Sequence, residues 1–301
     1  PLASARSAGK TLKFKGEDVT IGLACEEAFE GVDIVLGAAE NDVAEKLAPA
    51  IVKAGAVFVD NSSAFRMDPN VPLVVPEVNP EDVKWHKGII SNPNCSTIIT
   101  ATAVNALNSI APIKTMTAST YQAVSGAGAA GPVELMSQVE ALSKGEPVQT
   151  KTFPYQIAFN LIPQIGGEKE NGYTSEEMKL QNEGRKIMHL PELKVTCTCV
   201  RVPVYRSHSI SCIAQFEKPV DVEGARSCYD GMPGVELMDD VANNVWPTPL
   251  DSTNGDTCYV GRIRKDIAID NALNLWVVGD QVRKGAALNA VQIAELLVKG
   301  K

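Results

Sequence analysis

The chain has 301 residues, 45% of them hydrophobic and 21% charged, enough to bury a sizeable core in two domains and incompatible with disorder or a fibrous architecture. Its 28 Lys and Arg against 36 Asp and Glu leave a net charge of −8, and with no Lys/Arg-rich block to neutralise a row of phosphates, no nucleic-acid partner is expected. Uninterrupted apolar stretches reach only four to six residues against the ~20 that a membrane helix needs, so a soluble protein with no membrane partner is expected.

The chain opens on Pro1, without an initiator Met, a charged n-region or an apolar h-region. Close behind, Ser4-Ala5-Arg6-Ser7-Ala8-Gly9 gathers small residues and one Arg at the exit of a strand. In a doubly wound fold the second strand ends where the adenosine ribose binds, and an Arg there accommodates a 2′-phosphate; a plain surface loop is the alternative. Residues 33–39 and 56–62 are short β-branched runs. The segment between them reads as a helix with Asn41 as N-cap and Gly55 just past its end. Strand, helix and strand with short links make a βαβ unit, which implies a parallel sheet. A strand at 88–91 then leads through Asn92-Pro93-Asn94 into a helix that stops before Pro112.

Beyond that point, alternating segments at 113–124, 194–204, 208–217, 258–265 and 272–279 read as antiparallel strands, interrupted by helices near 132–144 and 174–190. The last segment, from Gln281, is an amphipathic helix with Ala287, Val291, Ala294 and Val298 on one face. The fold class is therefore α/β plus α+β. The glycine fingerprint expected after a first nucleotide-domain strand is absent there. Its one literal match, Gly126-Ala127-Gly128-Ala129-Ala130-Gly131, lies deep in the chain and lacks the acidic residue that should come about 20 residues on. A flexible active-site turn is the simpler assignment.

Seven cysteines without a C-x-x-C pair suit a reducing cytosol. Cys197 and Cys199 alternate on a strand and so share a buried face. With three histidines in the chain and no paired cysteine ligands at x₂₋₄ spacing, no metal is expected. Cys95 stands where a strand gives way to a helix; unpaired N–H groups and the positive dipole end there lower a thiol's pKa and favour the thiolate. It is the best nucleophile candidate. His208, seven residues after Arg201 and at a strand end, is placed for proton transfer. Arg201, in phase with Cys197 and Cys199 on an apolar strand, should meet a carboxylate, either structural or a substrate's. Glu176 and Lys179 share a helix face at i, i+3.

The segments LASARSAGK, DNSSAFRM, VVPEVNP, SNPNCST, TYQAVSGAG, EEMK, RVPV with SHS, and RKGAALNAVQIAELL run in order from residue 2 to residue 297, and together they resemble the bacterial aspartate-β-semialdehyde dehydrogenases. The resemblance implies a Rossmann-like NADP-binding domain over 1–95, completed by a C-terminal helix at 281–301, and a glyceraldehyde-3-phosphate-dehydrogenase-like catalytic and dimerisation domain over 96–280. It implies reduction of L-aspartyl 4-phosphate to L-aspartate 4-semialdehyde by NADPH with release of phosphate, in lysine, threonine, methionine and isoleucine biosynthesis. Cys95 would be the acylated nucleophile, His208 the acid/base, and Gln122 the group that orients the thioacyl intermediate. Arg201 and Glu176 would grip the substrate's α-carboxylate and α-amino group, while Arg66, Asn94 and Lys179 hold the phosphoryl group. Ser4, Arg6 and Ser7 would read the 2′-phosphate, with Ser125 and Gly126 near the nicotinamide and Gln281 a further cofactor contact.

Two positions depart from the family pattern: Gln281 stands where Asn is usual, and Arg206 where small or flexible residues are usual. A cytoplasmic homodimer or homotetramer is expected. Measured against the family, the chain begins at the second sheet strand, so a first strand, glycine loop and helix of roughly 30 residues are expected to be missing, with weak NADP binding and low stability as the consequence. The rival readings are an N-acetylglutamyl-phosphate reductase-like enzyme, a thiol hydrolase using Cys95 and His208, and an inactive truncated assembly partner.

Overall fold

The structure is a computed structural model that describes residues 1–299. The chain starts with β1 (Leu2–Ala3), a turn, the hairpin β2 (Thr11–Phe14) and β3 (Glu17–Thr20), and β4 (Gly22–Leu23), which pairs in parallel with β1. Next come β5 (Ile34–Gly37), α1 (Asn41–Lys53), β6 (Val57–Asp60) and β7 (Ile89–Ser91), and these three strands form a parallel sheet. This is the expected βαβ unit. Gly37 admits the Phe58 ring across the strand, because a Cβ there would collide with it. Gly55 ends α1 with φ +85°, as its position implied. Asn41 does not cap the helix: Glu40 precedes the first turn, and the Asn41 side chain accepts the Ser63 backbone N–H at 2.9 Å, tying the loop after β6 to α1.

From β7 the chain turns into α2 (Cys95–Asn108), which is buried on nearly every side. The hydroxyls of Thr100 and Thr102 satisfy themselves on the carbonyls of Ser96 and Ile98, which lets polar β-branched residues sit in a helix packed all round. The remainder comprises β8 (Ile113–Gln122), α3 (Ala130–Ser143), α4 (Ser175–Ile187), β9 (Lys194–Arg201), β10 (His208–Phe216), α5 (Val222–Ser227), β11 (Val235–Leu237), α6 (Pro249–Ser252), β12 (Cys258–Lys265), β13 (Ala272–Gly279) and α7 (Leu288–Lys299). Its six-stranded sheet runs β11-β12-β13-β10-β8-β9. The sheet is mixed where an antiparallel one was expected: β8 pairs with β9, and β11 with β12, in parallel. Between β8 and β9 the chain passes through α3 and α4, and such a helical crossover returns it to run in the same direction. Cys197 and Cys199 are both buried, as their phase implied.

The last helix also differs from expectation. Val291 and Val298 are 41% and 62% exposed, whereas Ala290 and Ile293 are buried against Val59 and Ile90 with Leu297 beside them. The whole apolar stripe is displaced by one position. Residues 283–287 form a π turn with i→i−5 bonds, Gly285 N–H to Asp280 O and Ala287 N–H to Val282 O. Packing against Val59 and Ile90 decides which of two adjacent apolar stripes of α7 is buried. Gly300 and Lys301, included in the expected C-terminal helix, lie outside the described residues. Among the described residues no helix is long and apolar enough to cross a membrane.

Candidate active site

The mixed sheet brings its site residues to one edge. Parallel pairing of β8 and β9 sets Gln122 opposite Arg201, and antiparallel β10 begins there with His208, which pairs with Gly279 at the end of β13. Had β9 run antiparallel to β8, Arg201 would lie at the far end. Asp280 and Gln281 come directly after β13 and are buried at the same edge. The 3₁₀ turn Val124–Ala127 leaves β8 beside them.

Cys95 is the first residue of α2 and lines a cleft of about 560 Å³ with Asn61, Arg66, Ser125, Gly126 and Gln281. The Asn92-Pro93-Asn94 turn that presents it has its polar groups engaged. Asn92 Nδ2 donates to Asn61 Oδ1 at 2.7 Å, and its Oδ1 accepts Asn289 Nδ2 at 2.6 Å. Asn94 donates its backbone N–H to Glu183 at 2.7 Å and Nδ2 to Glu176 at 3.0 Å. Its Oδ1 accepts the N–H groups of Ser96 and Thr97. Those are the helix-end donors expected to stabilise a thiolate, and Asn94 already occupies them. Burial, and then the Glu176 carboxylate, push the Cys95 thiol up to about 11 against the opposing charges of Lys179, Arg201 and Arg66. The expected lowering of its pKa is thereby reversed: the resting residue is a thiol.

Glu176 and Lys179 form an ion pair at 2.7 Å, and Glu176, being buried, also receives Gln122 Nε2 at 3.2 Å. Burial raises its pKa, but Lys179, Asn94 and Gln122 together hold the carboxyl below the usual carboxylate range. Of the two carboxylates expected for Arg201, the structural one is not found among the described residues. Its Nη1 donates to the Ala123 carbonyl at 2.7 Å and its guanidinium lies over the Phe153 ring, 6.0 Å from the centroid. Among the described residues no carboxylate pairs with it, and burial lowers its pKa. Arg66 is buried against Glu183 at 3.1 Å and the Asn61 carbonyl at 2.8 Å, and its Nε has no partner among the described residues. Gln281 donates to Ser125 Oγ and accepts the Ser207 N–H at 2.8 Å, joining the turn after β8 to the residue before His208. Arg206 pairs with the buried Asp280 at 2.6 Å.

Ser4, Arg6 and Ser7 stand apart from this cluster. They occupy the turn after β1, where the Ser4 carbonyl accepts the N–H groups of Ser7 and Ala8, and Arg6 is exposed with no ion-pair partner among the described residues. Three residues that support or line the site escaped the sequence. Glu183 lies seven residues after Glu176, two turns along the same face of α4, and that spacing was the available signal. Lys186 donates to the carbonyls of Arg66, Asp68 and Val71, pinning the loop that carries Arg66. Asn61 comes just after β6 and gave no signal.

Two family models match the chain in succession and together describe a two-part dehydrogenase. A family model described as "Semialdehyde dehydrogenase, NAD binding domain" matches residues 1–86, and "Semialdehyde dehydrogenase, dimerisation domain" matches 104–284. The chain is 50% identical over 298 residues to aspartate-semialdehyde dehydrogenase from Synechocystis sp., an alignment covering 99% of this chain and 88% of that relative. A solved structure of aspartate semialdehyde dehydrogenase II from Vibrio cholerae, complexed with ASA, superposes with a TM-score of 0.95 at 45% identity, covering 99% of this chain and 89% of that one. The Candida albicans aspartate semialdehyde dehydrogenase, with NADP, gives 0.75 at 25% identity over 98% and 89% of the two chains. The chain belongs to the aspartate-semialdehyde dehydrogenase family.

Proposed function

We propose that the protein catalyses the reversible, NADPH-dependent reductive dephosphorylation of L-aspartyl 4-phosphate to L-aspartate 4-semialdehyde through a thioacyl intermediate on Cys95. One observation carries it: a cleft cysteine, a carboxylate held ionised and an arginine without a carboxylate partner among the described residues lie around one sheet edge. Those are the groups that an α-amino acid with an activated side chain requires. Arg201 takes the α-carboxylate and Glu176 the α-ammonium, fixing the acyl carbon against Cys95. The unpartnered Nε of Arg66, with Asn94 and Lys179, holds the phosphoryl group electrostatically. Cys95 displaces phosphate to form the thioester, and Gln122 orients its carbonyl. His208 handles the hydrogen at that carbonyl's oxygen.

NADP fits the chain's residues. Arg6 is exposed in a turn of small residues, with no ion-pair partner among the described residues, suited to a 2′-phosphate with Ser4 and Ser7, and Ser125, Gly126 and Gln281 stand beside Cys95 where a nicotinamide would meet the acyl group. When bound, the cofactor supplies the hydride. Residues 1–95 with the C-terminal helix form the cofactor domain and 96–280 the catalytic and dimerisation domain. The exposed Tyr155, Phe159 and Leu161 support a homodimer or homotetramer, located in the cytoplasm.

Phosphate-dependent reduction of NADP by aspartate semialdehyde, followed by absorbance, tests the proposal. Turnover that vanishes without phosphate is expected. Equal turnover of the N-acetylated glutamate analogue, or ester hydrolysis without nicotinamide, would overturn it.

A further inference from the structure

A fully buried lysine is joined by hydrogen bonds to the turn that presents the nucleophile. Lys284 lies in the π turn before α7 and has no solvent exposure. Its Nζ pairs with Glu77 and donates to Asn289 Oδ1 at 2.9 Å and to Gln292 Oε1 at 2.8 Å, so all three of its N–H groups are taken. Gln292 Nε2 donates in turn to the other oxygen of Glu77 at 3.0 Å. Gly234 closes over that carboxyl, where a Cβ would lie 2.8 Å from Oε1. Burial lowers the pKa of the ammonium, and Glu77 opposes the shift.

An ammonium accepts no hydrogen bond, and this decides the direction of every amide beyond it. Asn289 turns Oδ1 toward Lys284, so its Nδ2 faces the other way and donates to Val74 O at 2.9 Å and to Asn92 Oδ1 at 2.6 Å. Asn92 then offers Nδ2 to its remaining neighbours, Asn61 Oδ1 at 2.7 Å and Ala286 O at 3.2 Å. Asn61 donates its own Nδ2 to Gly37 O at 2.6 Å. The carbonyls of Val74, Ala286 and Gly37 can only accept, so they demand the same direction as the ammonium. The chain of amides runs from α7 along the ends of β7, β6 and β5.

What these amides hold are the groups around the cleft. Asn92 opens the turn that leads to Cys95, and the Asn61 carbonyl accepts Arg66 Nη2 at 2.8 Å. Gly285, next to Lys284, lies against the nucleophile: a Cβ there would be 2.9 Å from the Cβ of Cys95 and 3.3 Å from its Cα. With its donors spent, Lys284 has none to offer a substrate. Stability alone does not account for it, since replacing a buried ion pair by apolar side chains of similar volume is often neutral or stabilising. The direction of the amides does need the ammonium.

We propose that Lys284 is a positioning residue: through the ordered amides of Asn289, Asn92 and Asn61 it holds the turn before Cys95 and the loop of Arg66 in register, so that thiol and phosphoryl-binding group meet one substrate. The proposal rests on the reaction inferred above. Cys95 follows β7 and Arg66 follows β6, whereas Arg201 and Glu176, which take the α-carboxylate and α-ammonium, come from β9 and α4. Loss of the relay therefore disturbs the reacting end of the substrate and spares the end that is gripped.

Two variants test it. Lys284→Met combined with Glu77→Gln removes both buried charges together, and Asn289→Asp keeps an acceptor for Lys284 but turns a second acceptor toward Asn92. Urea unfolding establishes that each is folded. Both should lose at least about tenfold in kcat for phosphate-dependent NADP reduction, with the KM for aspartate semialdehyde within about threefold of the wild type. A kcat retained by the folded variants, or a loss carried by KM alone, would overturn the proposal. Should the double variant not fold, Asn289→Asp carries the kinetic test, since it keeps both charges. Neutron diffraction from crystals of the perdeuterated chain reads the amide directions without turnover. Deuterons are expected on Asn289 Nδ2 toward Asn92, on Asn92 Nδ2 toward Asn61 and on Asn61 Nδ2 toward Gly37, with three on Lys284 Nζ; a neutral Lys284 or a reversed amide would contradict the relay. A chain that fails to reduce NADP yet shows these deuterons sinks the functional proposal and leaves the relay standing.

Discussion

The Glu183 carboxylate accepts the backbone N–H of Asn94 at 2.7 Å while its other oxygen pairs with Arg66 at 3.1 Å. The residue before the nucleophile is thus anchored to α4, and both partners of the ion pair are buried. Glu183→Ala leaves a buried guanidinium uncompensated and a peptide N–H unpaired, so it should cost about 3 kcal/mol or more. A lowered midpoint in urea unfolding checks this; an unchanged midpoint would mean that water reaches Arg66.

Glu176→Gln should have opposite effects on two readouts. Removing the carboxylate takes away a charge that raises the Cys95 pKa and leaves Lys179 unopposed. Thiolate becomes more abundant, and alkylation of Cys95 by iodoacetamide near neutral pH, measured by peptide mass spectrometry, should quicken by roughly tenfold for each pKa unit recovered. Turnover should fall by about tenfold or more through loss of the ammonium contact.

Gly126→Ala is admitted by the backbone, which is not in the left-handed region there, but its Cβ would meet Arg201 and His208. We expect kcat/KM to drop by at least about tenfold with a much smaller change in Tm. Parallel loss of both would indicate that the turn itself had rearranged.

Acid should weaken the fold partly through His208. Its folded pKa, about 3, lies below the unfolded value near 6.5. The unfolded chain therefore binds the extra proton, and stability falls as pH drops through that window. Thermal melts from about pH 7 to about pH 4 should show a steeper loss in the wild type than in His208→Gln.

Arg6→Ala should weaken NADP by roughly tenfold or more while leaving NAD nearly unchanged, the loss of one charge-assisted contact. Initial rates with both cofactors check it, and an unaltered preference would contradict the 2′-phosphate assignment.

Much of this site was legible in the sequence because a few local patterns are self-explanatory. The strand-turn-helix around Cys95, the i, i+3 pairing of Glu176 with Lys179, and the shared face of Cys197, Cys199 and Arg201 come from period and spacing alone. The features that escaped depend on contacts between distant segments. The parallel course of β9 comes from the α3–α4 crossover, and which of two adjacent apolar stripes of α7 is buried is decided by its packing against Val59 and Ile90; neither alters the apolar pattern from which a strand or helix is read. The state of Cys95 turned on its burial and then on the nearby Glu176 carboxylate, and Arg201 found a carbonyl and a ring in place of a structural carboxylate. Glu183 is one acidic residue among 36 Asp and Glu, and only the tertiary fold places it beneath Asn94.

The central claim is a covalent bond between Cys95 and the substrate's acyl carbon. Mixing the protein with L-aspartyl 4-phosphate without NADPH, quenching in acid and weighing the intact chain tests it most directly. One added aspartyl unit, localised to the peptide that carries Cys95 and absent in Cys95→Ser, is the result expected. Unmodified protein under conditions where NADPH supports turnover, or turnover retained by Cys95→Ser, would contradict it.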